Sequence, residues 1–142
     1  MLVDANLLLY AVDQSSLHHA AAAAWLESSL NGSRRVALPW LTLSAFVRIS
    51  TNPRAREHPL DPGTAIGFVQ EWLDAEMSWV PSPGSGFATA FLGLVTKYQL
   101  RGNLVSDAQL AALALENGLA VYSADTDFAR FNEVTWVNPV AP

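Results

Sequence analysis

The sequence predicts an α/β fold: a mainly parallel sheet of about five short strands with helices on both faces. Short apolar runs at 1–5, 35–38, 78–80, 119–123 and 134–137 have the length and composition of strands. The segments between them are longer and place apolar residues at helical spacing. The resulting order, β-α-α-β-α-α-β-α-α-β-β, joins most strands through helices, and such crossovers make neighbouring strands parallel.

The elements follow from local chemistry. Met1-Leu2-Val3-Asp4-Ala5 is an apolar strand that ends beside a carboxylate. Asn6 is a suitable N-cap for a helix over 7–12. A second helix runs from about His18 to Leu30, carried by five consecutive alanines at 20–24 and ended by Asn31-Gly32. After the strand at 35–38, Pro39 breaks the run, and Leu43, Phe46 and Val47 mark one face of a helix over 41–51. Asn52-Pro53 stops it, and a polar loop leads to Asp61-Pro62, an N-cap followed by proline at the first helical position. The next helix spans about 63–75.

The strand at 78–80 ends at Pro81, and Pro83-Gly84-Ser85-Gly86 is a turn. Helices over 87–98 and 104–117 follow, the second capped by Asn117-Gly118. Leu119–Ser123 is the second strongly apolar strand, Asp125–Arg130 a short helical turn, and Val134–Val137 the last strand. The five tryptophans, at 25, 40, 72, 79 and 136, read as core rather than as base-stacking platforms.

Composition narrows the function. A length of 142 residues with 51% hydrophobic and 15% charged residues fits one globular domain, 1–142. No apolar run reaches the roughly 18–20 residues of a membrane span. The N-terminus lacks the basic, then apolar, pattern of a signal peptide. With no cysteine, disulfides and thiolate–zinc sites are excluded, and a cytoplasmic location is expected. The net charge of −5 argues against a generic nucleic-acid coat but allows an enzyme with a local basic rim. Arg34, Arg35, Arg48, Arg54 and Arg56 are the candidates for that rim.

Most of the thirteen acidic residues are explained by solvated helix faces (Glu116 among them), loops or caps. Asp4, Asp107 and Asp125 stand apart. Asp4 and Asp125 follow the two most apolar strands, which in a parallel sheet end on one edge, where such folds bind ligands. Asp107 lies in the first turn of a helix that packs on that sheet. Each also has an ordinary structural reading: Asp4 bonding nearby backbone, Asp107 facing a helix dipole, Asp125 capping the turn that follows it. Gathered together, several like charges need a cation, and an all-oxygen donor set suits Mg²⁺ or Mn²⁺. Such an ion can activate water and steady charge on a phosphoryl centre. Asn6 and Ser123 could orient a carboxylate or a water, and Asp127 lies two residues after Asp125. The three histidines form no metal-binding pattern, and there is no phosphate-binding glycine loop and no GxSxG.

Four stretches together resemble PIN-domain ribonucleases, and more narrowly the VapC toxins of type II toxin–antitoxin modules. They are Val3-Asp4-Ala5-Asn6, Arg48-Ile49-Ser50-Thr51-Asn52-Pro53-Arg54, Gly102-Asn103-Leu104-Val105-Ser106-Asp107-Ala108 and Tyr122-Ser123-Ala124-Asp125-Thr126-Asp127-Phe128. The resemblance implies a three-layer α/β sandwich and a Mg²⁺- or Mn²⁺-dependent endoribonuclease. By position it implies Asp4 and Asp107 as principal metal ligands and Asp125 as the last acidic ligand, with Asp127 in support. It also implies a VapB-like antitoxin that inserts a segment into the active-site groove, and a homodimer. One position departs from the family: Ala45 stands where many members carry a glutamate. Arg48, Thr51 and Asn52 are candidates to contribute to the site instead. A catalytically weak PIN-like module that only binds RNA or antitoxin is therefore the alternative reading. A receiver or haloacid-dehalogenase-type domain is disfavoured, because position 6 is asparagine and only Met1-Leu2-Val3 precedes Asp4.

Overall fold

The strands β1 (Leu2–Val3), β2 (Val36–Ala37), β3 (Ser78–Trp79), β4 (Val121–Tyr122) and β5 (Trp136–Val137) are two residues each. In the computed structural model, which describes residues 1–142, they form one all-parallel sheet of order β3-β2-β1-β4-β5. Leu2 pairs with Val121 and Val3 with Tyr122, so the chain leaves β1 and β4 side by side at one edge. The expected parallel sheet and element order are both present.

Six helices cover the sheet: α1 (Ala5–Val12), α2 (His19–Leu30), α3 (Trp40–Ser50), α4 (Pro62–Asp74), α5 (Phe87–Tyr98) and α6 (Asn103–Asn117). Alternation along the strands divides the core in two. Val3, Val36, Leu38 and Tyr122 pack with Leu7, Leu8, Leu43, Phe46 and Trp72 on the α1–α4 face. Leu2, Ala37 and Val121 pack with Leu94, Ala108, Ala111, Phe128 and Phe131 on the α5–α6 face. Burial on both faces is why the strands read as continuous apolar runs.

Asp61 caps α4 as expected, its carboxylate accepting from the Thr64 N–H at 3.1 Å. Four local expectations change. The first helix starts at Ala5, not Leu7, and Asp4 caps it rather than Asn6; the Ala5 N–H donates to Asp4 Oδ1 at 2.7 Å. Asp107 lies in the second turn of α6, because the helix begins at Asn103, and the first turn carries no acid. Among the tryptophans only Trp72 is buried; Trp40 is 60% exposed at the start of α3. Glu116, expected on a solvated helix face, accepts from the Gly84 and Gly86 N–H groups at 2.7 and 2.9 Å and pins their turn to α6. No helix is long and apolar enough to cross a membrane.

Candidate metal centre

The edge where β1 and β4 end gathers side chains from three separate stretches of chain. Asp4 follows β1, Asp125 and Asp127 follow β4, and Asp107 approaches from α6. Carboxylate oxygens of Asp107, Asp125 and Asp127 all lie within 4.8 Å of one another. Asp4 stands outside that close group but acts electrostatically on Asp107, and Asp125 acts on Asp4. Asp127, expected only in support, thus belongs to the close group with Asp107 and Asp125.

A buried hydroxyl ties the edge together. Ser123 is fully buried, and its Oγ donates to Asp4 Oδ2 at 2.7 Å. The same Oγ accepts from Asn6 Nδ2 at 3.0 Å and from the Asp125 N–H at 3.0 Å. Asn6 Nδ2 also donates to Asp4 Oδ2 at 3.2 Å, while Asn6 Oδ1 accepts from the Ala124 N–H at 3.2 Å. The amide orientation of Asn6 is set by having an acceptor on one side and a backbone donor on the other. Trp136 Nε1 donates to the Ser123 carbonyl at 2.9 Å, bracing the segment from β5.

Structural duty and candidate function coincide here. Asp4 caps α1 with one oxygen and receives Ser123 and Asn6 on the other. Asp125 caps the 3₁₀ turn Thr126–Arg130 by accepting from the Asp127 N–H at 2.8 Å. The cap aims both aspartates from one turn toward the same edge. Gly102 precedes α6 with φ +59 and ψ −132, a backbone shape that glycine adopts without strain. It redirects the chain so that α6 runs back across the sheet with Asp107 at the edge.

Electrostatics mark the edge as short of positive charge. Burial pushes the Asp107 carboxyl up to about 7, and Asp125, Asp4 and Asp127 add to the rise while Arg130 opposes it. No hydrogen bond compensates Asp107. Burial also raises Asp4, against the hydrogen bonds from Ser123 and Ala5, and Asp125 adds to the rise. Such clustering costs free energy unless a cation is present.

The donor set fits one. Oxygens on opposite sides of a Mg²⁺ ion are about 4.2 Å apart, twice a bond of about 2.1 Å. Oxygens spread over no more than 4.8 Å need only a small inward adjustment. All are carboxylates, the hard ligands that Mg²⁺ and Mn²⁺ take.

Other candidates lie elsewhere. Thr42 Oγ1 donates to the Val3 carbonyl at 2.7 Å, so α3 starts at the site edge and leads away from it. Thr51 is nine residues further, about 13 Å along the helix, with its hydroxyl on the Val47 carbonyl. Asn52 Oδ1 accepts from the Arg54 N–H. The structure therefore places Thr51 and Asn52 at the opposite end of α3 from the carboxylates. Arg48 is exposed in the last turn of α3, beside an apolar depression lined by Trp40, Leu43, Val47, Ile66 and Val69. The expected basic rim also divides: Arg34 and Arg35 precede β2 at the opposite sheet edge, and Arg56 pairs with Asp13 at the far end of α1.

A family profile described as the PIN domain matches residues 1–134. The chain belongs to the PIN-domain family. Its relatives in that family include VapC proteins. It is 41% identical over 140 residues to Ribonuclease VapC37 of Mycobacterium tuberculosis, covering 99% of this chain and 97% of the relative. It is 38% identical to Ribonuclease VapC33 of the same species, covering 96% of each. Among solved structures, the chain superposes on VapBC2 from Rickettsia felis with TM-score 0.71 at 14% identity, covering 96% of each chain. Against Mycobacterium tuberculosis VapC20, described as a sarcin–ricin loop cleaving toxin, the TM-score is 0.67 at 16% identity, over 94% of this chain and 98% of that one. At those identities the shared property is the PIN fold, a five-stranded parallel sheet between helical layers.

Proposed function

We propose that this PIN domain is the toxin of a VapBC-type module: an endoribonuclease that hydrolyses RNA phosphodiester bonds with Mg²⁺ or Mn²⁺. The observation that carries the reading is the convergence of four carboxylates from three chain segments at the β1–β4 edge of a PIN fold. The naming of relatives at 38–41% identity as ribonucleases supports it. Asp107, Asp125 and Asp127 would hold the cation, with Asp4 completing the set from β1. When bound, the ion supplies Lewis acidity that makes water nucleophilic at neutral pH.

The chain's own residues provide the rest. Ser123 and Asn6 fix Asp4 by both donating to its Oδ2. The Asp125 cap holds Asp127 beside Asp107. Ala45 removes one acid from the set found in many family members, and Asp127 keeps the acidic count at four. The protein would act in the cytoplasm as a homodimer, neutralised by a VapB-like antitoxin.

The test is cleavage of RNA by purified protein with Mg²⁺ or Mn²⁺. Cutting should stop with EDTA and with Asp107→Asn, a substitution that breaks no hydrogen bond in the fold. Cutting that survives both would falsify the reading. A weak binding module, the alternative that Ala45 suggests, would bind RNA or antitoxin without cutting and without tight Mn²⁺ binding.

A further inference from the structure

The proposed centre contains one basic side chain bonded to a member of its acidic group. Arg130 Nη2 donates to Asp127 Oδ1 at 3.2 Å, and Arg130 Nε donates to the Asp127 carbonyl at 3.0 Å. Both bonds close within the 3₁₀ turn that Asp125 caps, so the guanidinium position is tied to the same turn as two of the carboxylates. Its charge also reaches Asp107, which lies on a different element. The other ion pairs are separate: Arg56 belongs to Asp13 and Lys97 to Glu133.

An arginine offers five N–H donors in a planar fork. The turn uses two of them. The remaining three have no partner in the chain, and the side chain is 37% exposed. A phosphodiester oxygen pair is the natural match for such a fork. The charge balance points the same way. Four carboxylates carry up to four negative charges, one divalent cation offsets two, and a polyanion approaching that edge still meets net negative charge. Arg130, bonded to Asp127 at that edge, offsets one more.

We propose that Arg130 is a substrate-contacting residue, held at the rim of the metal centre by Asp127 so that its free N–H groups bind an RNA phosphate. Asp127 thereby has two duties, one toward the cation and one toward the arginine. The proposal rests on the ribonuclease reading, and the test separates the two.

The experiment compares wild type, Arg130→Gln and Arg130→Lys. It measures binding to a single-stranded RNA oligonucleotide in EDTA as a function of salt, Mn²⁺ affinity by calorimetry, and cleavage with Mn²⁺. Arg130→Gln should weaken RNA binding about tenfold or more, the effect of losing a charged hydrogen bond. It should lower the slope of log affinity against log salt by about 0.7, the value for one phosphate contact on a single strand. Mn²⁺ affinity should hold or increase, since a competing cation has gone. Arg130→Lys should keep the salt slope while losing the fork, and cleave at an intermediate rate. If Arg130→Gln leaves RNA affinity and salt slope unchanged, or weakens Mn²⁺ binding without touching RNA binding, Arg130 only braces Asp127 and the proposal is overturned. If wild-type protein cuts no RNA, the ribonuclease reading itself has failed.

Discussion

Ser123 Oγ donates to Asp4 Oδ2 across 2.7 Å, and it has no other acceptor to choose. Its two remaining partners, Asn6 Nδ2 and the Asp125 N–H, are both donors. The direction of the hydroxyl proton is therefore fixed by the network, and it points at the carboxylate. One buried side chain couples the residue after β1 to the residue that opens the 3₁₀ turn after β4.

Ser123→Ala removes the donor to Asp4 and leaves the Asn6 and Asp125 donors short of a partner. Each buried unpaired group costs about 1–3 kcal/mol, so a loss of about 2–4 kcal/mol in urea unfolding is expected. Mn²⁺ affinity should fall about 10- to 100-fold, as when outer hydrogen-bond partners of metal ligands are removed. Ser123→Thr should retain most of both if the added methyl fits; a Ser123→Ala variant with wild-type Mn²⁺ affinity would contradict the hub.

Asp107 makes the metal-free protein sensitive to pH in a definite direction. Its carboxyl titrates near 3.8 in an unfolded chain and at about 7 in the fold. Between those values the native state binds the extra proton, so stability falls as pH rises through that window and levels off above it. Melting in EDTA should show Tm decreasing from about pH 4 to about pH 7. Asp107→Asn should remove most of that decrease; part remains, because Asp4 is also raised. Mg²⁺ should invert the trend, since it binds the ionised carboxylates, and its stabilisation should grow with pH. A wild-type Tm that climbs through this window in EDTA would contradict the placement of Asp107 among like charges.

Glu116 shows what single-sequence reading leaves out. Its contacts with Gly84 and Gly86 span 32 and 30 residues, and nothing in the local pattern of α6 signals them. The helices were legible because their signals are local: Asp61-Pro62 starts α4, Asn117-Gly118 ends α6, and apolar spacing marks α3. The parallel edge was legible because β1 and β4 are apolar throughout and must be buried on both faces. Asp127's place beside Asp107 was not, because it depends on how a five-residue 3₁₀ turn folds under its Asp125 cap. Asn6 offered a plausible local cap, and a bond to Ser123, 117 residues away, prevailed.

Glu116→Ala tests that long-range anchor. Losing two charge-assisted bonds at a half-buried position should cost about 1–2 kcal/mol, below the fully buried value because water replaces part of the interaction. Glu116→Gln keeps one acceptor and should lose roughly half as much. Hydrogen exchange should accelerate at the Gly84 and Gly86 amides in both variants. Mn²⁺ affinity should stay at the wild-type value, because neither residue touches the carboxylate edge.

Gln99 carries the opposite kind of prediction, a gain. It ends α5 with φ 51 and ψ 50, the left-handed conformation, and it is the one non-glycine residue of the chain at positive φ. Glycine usually takes this position at a helix end, because a side chain there costs about 1–2 kcal/mol. Gln99 recovers some of that through Nε2, which donates to the Thr96 carbonyl at 2.8 Å on an exposed surface. Gln99→Gly relieves the strain but loosens the unfolded chain by about 0.5–1 kcal/mol and forfeits the side-chain bond. The strain is the larger quantity, so a net gain of about 0.5 kcal/mol and a small rise in Tm are expected. Gln99→Val keeps the left-handed backbone, adds a branched Cβ and lacks the Thr96 bond, so it should fall below wild type. A ranking of glycine above glutamine above valine in urea unfolding follows from the backbone angle; glycine at or below valine would mean that α5 does not end in this conformation.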